Sequence, residues 1–126
     1  MKKMFASDFD NTLYFHGIEP RIRRETVGAI LRFQAAGHLF GLCPGRPVRG
    51  LEGYCAGLFC PDFIIGSSGA VILDAGGRTL IEHTILPDVI LEIAEMGIER
   101  HFVGAVHLDG RFFMLNREDL AGQFPD

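Results

Sequence analysis

The apolar positions of this chain fall in short runs, each closed by a cluster of polar or turn-forming residues. Met4-Phe5-Ala6-Ser7 predicts a buried strand that ends at two acidic residues, Asp8 and Asp10. Residues 11–19 carry Asn, Gly and Pro signals and predict a loop. Pro20 then suits the first turn of a helix, where its missing N–H costs nothing. Val27, Ile30, Leu31 and Gln34 keep helical spacing, with Arg24, Glu25, Gly28 and Arg32 opposite, and Gly37 provides the stop. His38-Leu39-Phe40-Gly41-Leu42 predicts a second strand that runs into the turn Cys43-Pro44-Gly45-Arg46-Pro47. A weaker helix, interrupted by glycine, is expected over 47–57. Asp62-Phe63-Ile64-Ile65 predicts a third strand, ending at Gly66-Ser67-Ser68-Gly69.

Strand–helix–strand–helix–strand implies a parallel sheet with right-handed crossovers. Ligands of such sheets gather beyond the carboxyl ends of the strands. Three of those ends carry Asp8 and Asp10, Gly45 and Arg46, and Ser67 and Ser68, which makes them the candidate site. Residues 70–73 and 78–81 predict a hairpin around Asp74-Ala75-Gly76-Gly77. After His83 the pattern changes. Pro87 opens a helix to about Met96, with Ile90, Ile93, Ala94 and Gly97 along one side. Two strand-like runs, 103–108 and 111–115, follow around Asp109-Gly110, a strong hairpin signal. Alternation sends one ring of Phe112-Phe113 inward and the other outward. The expected organisation is an α/β, three-layer Rossmann-like core over 1–83 and a separate α-β-β layer over 84–126.

Composition narrows the function classes. Hydrophobic residues make up 48% and charged residues 22%, normal for a soluble, core-forming chain. The net charge of −4 offers no basic surface for nucleic acid. Arg21, Arg23 and Arg24 are expected to be the solvated side of a helix. No apolar stretch approaches the ~20 residues needed to cross a membrane. Asp8 and Asp10 interrupt any signal-peptide core after Met1-Lys2-Lys3, so a cytoplasmic protein is expected. The three cysteines, Cys43, Cys55 and Cys60, match no zinc spacing and predict free buried thiols. His38, His83, His101 and His107 share no metal spacing, and His16 is expected to be exposed.

Carboxylates two residues apart point to opposite faces of a continuing strand. Asp8 and Asp10 share a site only if the chain leaves strand geometry just after Asp8, and Asn11 tolerates the left-handed conformation such a departure uses. Asp8 can then attack a phosphoryl group and Asp10 can protonate the leaving oxygen. Two carboxylates facing a phosphate dianion need a hard cation such as Mg²⁺.

Asp8-Phe9-Asp10-Asn11-Thr12-Leu13 resembles the first motif of the haloacid dehalogenase superfamily, usually DxDGT, with Asn11 in place of the glycine. Gly45-Arg46-Pro47 resembles the TGRP of its Cof-like subgroup, which are sugar-phosphate phosphatases with a large α/β cap. Ser68-Gly69-Ala70 resembles the NGA segment of the same subgroup. The resemblance spans essentially the whole chain, matching 84–126 by pattern. It implies an Mg²⁺-dependent hydrolase of small phosphorylated metabolites, working through an aspartyl-phosphate at Asp8. It places Asp8 and Asp10 at the metal, and Asn11, Thr12, Gly45, Arg46 and Ser68 on the phosphate and substrate side.

Departures from the family pattern temper that reading. Pro44 stands where the family has a Ser or Thr hydroxyl, and Ser68 where the subgroup has Asn. The family's later lysine has no counterpart, since Lys2 and Lys3 are the only lysines. Glu118, Asp119 and Asp126 read as surface charges rather than the family's later acidic pair. Only the first three strands of the family's sheet are present, so the first strand should show a bare apolar edge, completed in an oligomer or by further polypeptide. A self-associating truncated chain is expected. The alternative function is a catalytically dead binding or assembly module. A receiver-like phosphoacceptor domain fits less well, since it needs the acidic pair and the phosphoacceptor in the reverse order.

Overall fold

The computed structural model describes residues 1–48, 51–108 and 111–116. The chain separates into two compact units, Met1–His83 and Thr84–Asp126.

In the first unit, strands β1 (Met4–Ser7), β2 (Leu39–Leu42), β3 (Phe63–Gly66), β4 (Val71–Asp74) and β5 (Thr79–Glu82) form one sheet in that spatial order. The first three are parallel, and β4 and β5 fold back antiparallel as the predicted hairpin, so the sheet is mixed. Helices α1 (Arg24–Ala35) and α2 (Leu51–Cys55) make the two crossovers. Both crossovers advance in the same direction, so right-handedness puts both helices on one face. The core lies there: Phe40 and Leu42 of β2, Ile64 of β3 and Leu73 of β4 pack with Ile30, Leu51 and Cys55 of the helices. Phe5 shares that face, stacking on Phe40 at 5.9 Å and meeting Phe33 of α1 edge-on at 6.5 Å.

Several sequence expectations need correction. The apolar run alone read as a buried strand, but β1 is exposed through Met4, Phe5 and Ala6: it is the bare sheet edge that the strand count implied, with no neighbour on one side among the described residues. Pro20 lies outside the helix, which starts at Arg24. The reason is a loop-closing contact: the Phe15 N–H donates to the Arg21 carbonyl at 2.8 Å, closing residues 15–21 into a loop before a helix can begin. Arg21, Arg23 and Arg24 are therefore not one helix side. Arg21 binds Glu19 and the Tyr14 hydroxyl, which keep its guanidinium charged, and Arg23 covers the Phe15 ring. Helix 47–57 contracts to the single turn α2. Leu31 is exposed and Phe33 takes its place against the core. Of the cysteines only Cys55 is buried.

The hairpin turn is held by Asp74, whose Oδ1 accepts the N–H groups of Gly76 at 3.0 Å and Arg78 at 2.9 Å. Those bonds, the Arg78 N–H first, hold its carboxyl below the usual range. The second unit contains α3 (Pro87–Glu99) and the antiparallel pair β6 (Gly104–Leu108) and β7 (Arg111–Leu115). Gly97 of α3 is its buried helical position, where a Cβ would sit 3.6 Å from Leu115. Asp109-Gly110, Glu118, Asp119, Asp126 and the ring orientations of Phe112 and Phe113 lie outside the described residues. No helix among the described residues is long and apolar enough to cross a membrane.

On the sheet face away from α1 and α2, the Phe63 ring lies across Gly41, where an added Cβ would overlap it. Gly41→Ala should therefore destabilise by about 1–3 kcal/mol in urea unfolding. Phe63→Leu should recover part of that loss in the double variant, and simple additivity would contradict the contact. Burial pushes the Cys55 thiol up to about 11. The folded state then holds its proton where the unfolded chain has released it, so stability should fall as pH rises from 9.0 to about 11. Urea titrations at stepped pH should show a steeper alkaline decline for the parent chain than for Cys55→Ala.

Candidate active site

The strand geometry of β1 ends in a tight turn. The carbonyl of Phe9 accepts three N–H groups, from Thr12 at 3.3 Å and from Leu13 and Tyr14 at 2.9 Å each. Asn11 sits at φ 59°, the left-handed conformation its side chain tolerates, and its N–H donates to the Tyr14 carbonyl at 2.8 Å. Phe9 is completely buried and stacks on Tyr14 at 5.2 Å, so the turn is anchored in the core while its flanking carboxylates stay at the surface.

Asp8 is exposed, and its Oδ2 accepts the Thr12 hydroxyl at 2.8 Å. Its Oδ1 makes no hydrogen bond to a described residue. Asp10 is held from two sides. Arg46 Nε donates to Oδ2 at 3.0 Å, and His16 Nε2 lies 2.9 Å from Oδ1. Arg46 comes from the turn after β2, so this pair ties the ends of β1 and β2 together. Its guanidinium also lies over the rings of Tyr54 (5.5 Å) and Phe9 (6.0 Å), which fix its approach. The end of β3 joins the cluster through the Ser67 N–H, which donates to the Arg46 carbonyl at 2.9 Å. A side chain on Gly45 would come within 3.7 Å of Ser68 Oγ, so those two positions face each other. Ser67 and Ser68 both have left-handed φ, 50° and 54°, and Ser68 is exposed. Pro44 is fully buried.

All three strand ends named from sequence thus meet. Asp8 with Thr12, Asp10 with Arg46, and Gly45 with Ser68 are in direct or near contact, and the Asn11 side chain takes no part. Two residues of the cluster escaped the sequence reading. His16 is exposed as expected, its ring about half so, and what the sequence did not announce is its bond to Asp10. Tyr54, six residues past Val48, supports Arg46; an aromatic on the short second helix was its only sequence signal. Among the described residues no group of three or more His, Cys, Asp or Glu could hold a metal.

A five-stranded mixed sheet with helical crossovers and a carboxylate pair at the end of its first strand places the first unit in the Rossmann-like α/β class. A family model described as haloacid dehalogenase-like hydrolase matches residues 5–125, and the chain belongs to that family. An uncharacterized protein of Mycoplasma capricolum is 35% identical over 89 residues, covering 68% of this chain and 33% of its own length. A phosphatase of the same superfamily from Bacteroides thetaiotaomicron superposes with TM-score 0.77 at 20% identity, over 99% of this chain and 47% of that one. A haloacid dehalogenase-like hydrolase from B. subtilis gives 0.69 at 25% identity, over 82% and 35%. A subclass IIB sugar phosphatase gives 0.72 at 21%, over 100% and 48%. The chain spans just under half the length of the two phosphatases and about a third of the B. subtilis hydrolase and of the Mycoplasma protein.

The two partners of Asp10 should differ in weight. Arg46→Met removes a half-buried ion pair and its aromatic support, and should cost about 1 kcal/mol in urea unfolding. His16→Ala removes a solvent-screened contact and should stay within about 0.5 kcal/mol of the parent. Equal losses would contradict the asymmetry.

Proposed function

We propose that this chain carries the nucleophile half of an Mg²⁺-dependent phosphomonoesterase acting on small phosphorylated metabolites. The observation that carries this reading is the division of labour between the two carboxylates. Asp8 is exposed, held at one oxygen by Thr12 and left without a partner among the described residues at the other, which suits a nucleophile. Asp10 is oriented by Arg46 and His16 at the neighbouring strand end. In this reading Asp8 Oδ1 attacks phosphorus, the bond from phosphorus to the ester oxygen breaks, and Asp10 gives its proton to that leaving oxygen. Asp10 then takes a proton from the water that hydrolyses the acyl phosphate.

Asp8 and Asp10 supply hard oxygen donors that fit Mg²⁺, which commonly binds through one or two carboxylates and completes its shell with water and phosphate. A bound Mg²⁺ would offset the repulsion between the carboxylates and an incoming dianion. Arg46, Gly45, Thr12, Asn11 and Ser68 would lie on the phosphate and substrate side. Residues 84–126 would begin a cap that selects the substrate. The sugar-phosphatase likeness suggests a sugar phosphate.

One observation favours a second reading, an assembly or binding module without turnover. Pro44 is buried and offers neither hydroxyl nor N–H where the family places a phosphate donor. Losing one such donor costs on the order of 3 kcal/mol of barrier, about a hundredfold in rate. The deciding assay is hydrolysis of p-nitrophenyl phosphate with Mg²⁺ by the 126-residue chain, beside Asp8→Asn. The enzyme reading expects slow turnover that Asp8→Asn abolishes and that Pro44→Thr raises by about tenfold or more. A folded chain with no turnover, or turnover indifferent to Asp8→Asn, replaces it with the second reading.

A further inference from the structure

The two partners of Asp10 differ in kind. Arg46 Nε donates to Oδ2 at 3.0 Å, and a guanidinium can only donate. It is also the group that an incoming phosphate draws to itself. His16 Nε2 lies 2.9 Å from the other oxygen, Oδ1, and an imidazole nitrogen donates or accepts there according to its tautomer. In the reaction proposed above, Asp10 gives up one proton and later takes one back. An imidazole can stay bonded to the carboxyl in both of those states.

The loop that carries His16 also fixes it. The bond from the Phe15 N–H to the Arg21 carbonyl closes residues 15–21 directly around it. A backbone bridge joins Asp10 to Tyr14, two residues before His16. The imidazole meets the buried Tyr14 ring edge-on, with centroids 5.1 Å apart and planes at 72°. Tyr14 is itself stacked on Phe9, and its hydroxyl accepts from Arg21 at 2.7 Å. The ring of His16 is half exposed, yet it is held by an aromatic on one side and by Asp10 on the other.

We propose that His16 is the positioning residue for Asp10, keeping that carboxyl aimed at the leaving oxygen through both proton transfers while Arg46 turns to the phosphate. The inference rests on the phosphatase reading and divides the labour between the two partners: Arg46 acts on the bound anion, and His16 on proton transfer. Two consequences separate this role from a merely structural one. His16 touches Asp10 rather than substrate, so its loss should lower kcat and leave KM nearly unchanged. Its loss should also matter only where the leaving oxygen needs a proton. An alkoxide leaves poorly unless it is protonated as the bond breaks, whereas p-nitrophenolate leaves without that help.

Steady-state kinetics of the 126-residue chain with Mg²⁺ test it, on glycerol phosphate and on p-nitrophenyl phosphate, with circular dichroism to confirm that each variant folds. A placed general acid contributes about 10²–10⁴-fold, so His16→Ala should lower kcat on glycerol phosphate by about tenfold or more. On p-nitrophenyl phosphate the same variant should stay within about threefold of the parent. His16→Gln keeps a donor and an acceptor on a side chain of similar reach, and should recover most of the loss. Equal falls on the two substrates overturn the proposal and leave the phosphatase reading standing. So does an unchanged kcat on glycerol phosphate, a loss confined to KM, or a glutamine variant no better than alanine. A parent without turnover, or with turnover indifferent to Asp8→Asn, overturns the phosphatase reading and this proposal with it.

Discussion

The carbonyl of Phe9 is the point on which the site depends. It accepts the N–H groups of Thr12, Leu13 and Tyr14, and in doing so stops β1 within two residues of its last ladder bond. A strand that continued would send Asp8 and Asp10 to opposite faces. The turn instead brings Thr12 back to Asp8 and His16 back to Asp10. It holds because Phe9 is buried in full against Tyr14, so opening it would expose two stacked aromatic rings. The polar geometry at the surface thus rests on hydrophobic burial directly beneath it.

The same logic explains how much the sequence disclosed. Elements defined by local pattern were legible: three apolar runs gave β1, β2 and β3 to within a residue or so, and the Asp74 turn and Pro87 helix start lay where turn chemistry puts them. The meeting of Asp10 with Arg46 was partly legible, since parallel strands bring their carboxyl ends together. What failed was set by loop contacts that no periodic pattern announces. Pro20 looked like a helix start because nothing nearby announces the Phe15–Arg21 bond. His16 is exposed as expected, but its bond to Asp10 was hidden because it exists only after the turn at Phe9 has formed. The apolar run of β1 by itself read as buried, since such a run does not reveal whether it has one neighbour or two; the bare edge was legible only from the count of family strands present.

Asp10 illustrates a tension inside the cluster. Arg46 and His16 orient it, and Tyr54 and Phe9 hold Arg46 in turn. A carboxylate with a donor on each oxygen is well placed and also well occupied. In the proposed phosphatase an incoming phosphate would compete with Asp10 for the Arg46 guanidinium, and that competition would let one arginine act both as a tie between strand ends and as an anion receptor.

The Phe63 ring lying over Gly41 has a consequence for the history of this sheet. A ring resting on bare backbone leaves no room for even a methyl group, so positions 41 and 63 cannot drift independently. A side chain at 41 and the full ring at 63 compete for the same space, so a change at either position costs stability unless the other gives way. The two strands carry a shared memory of their packing, written in a pair of residues that no catalytic demand would single out.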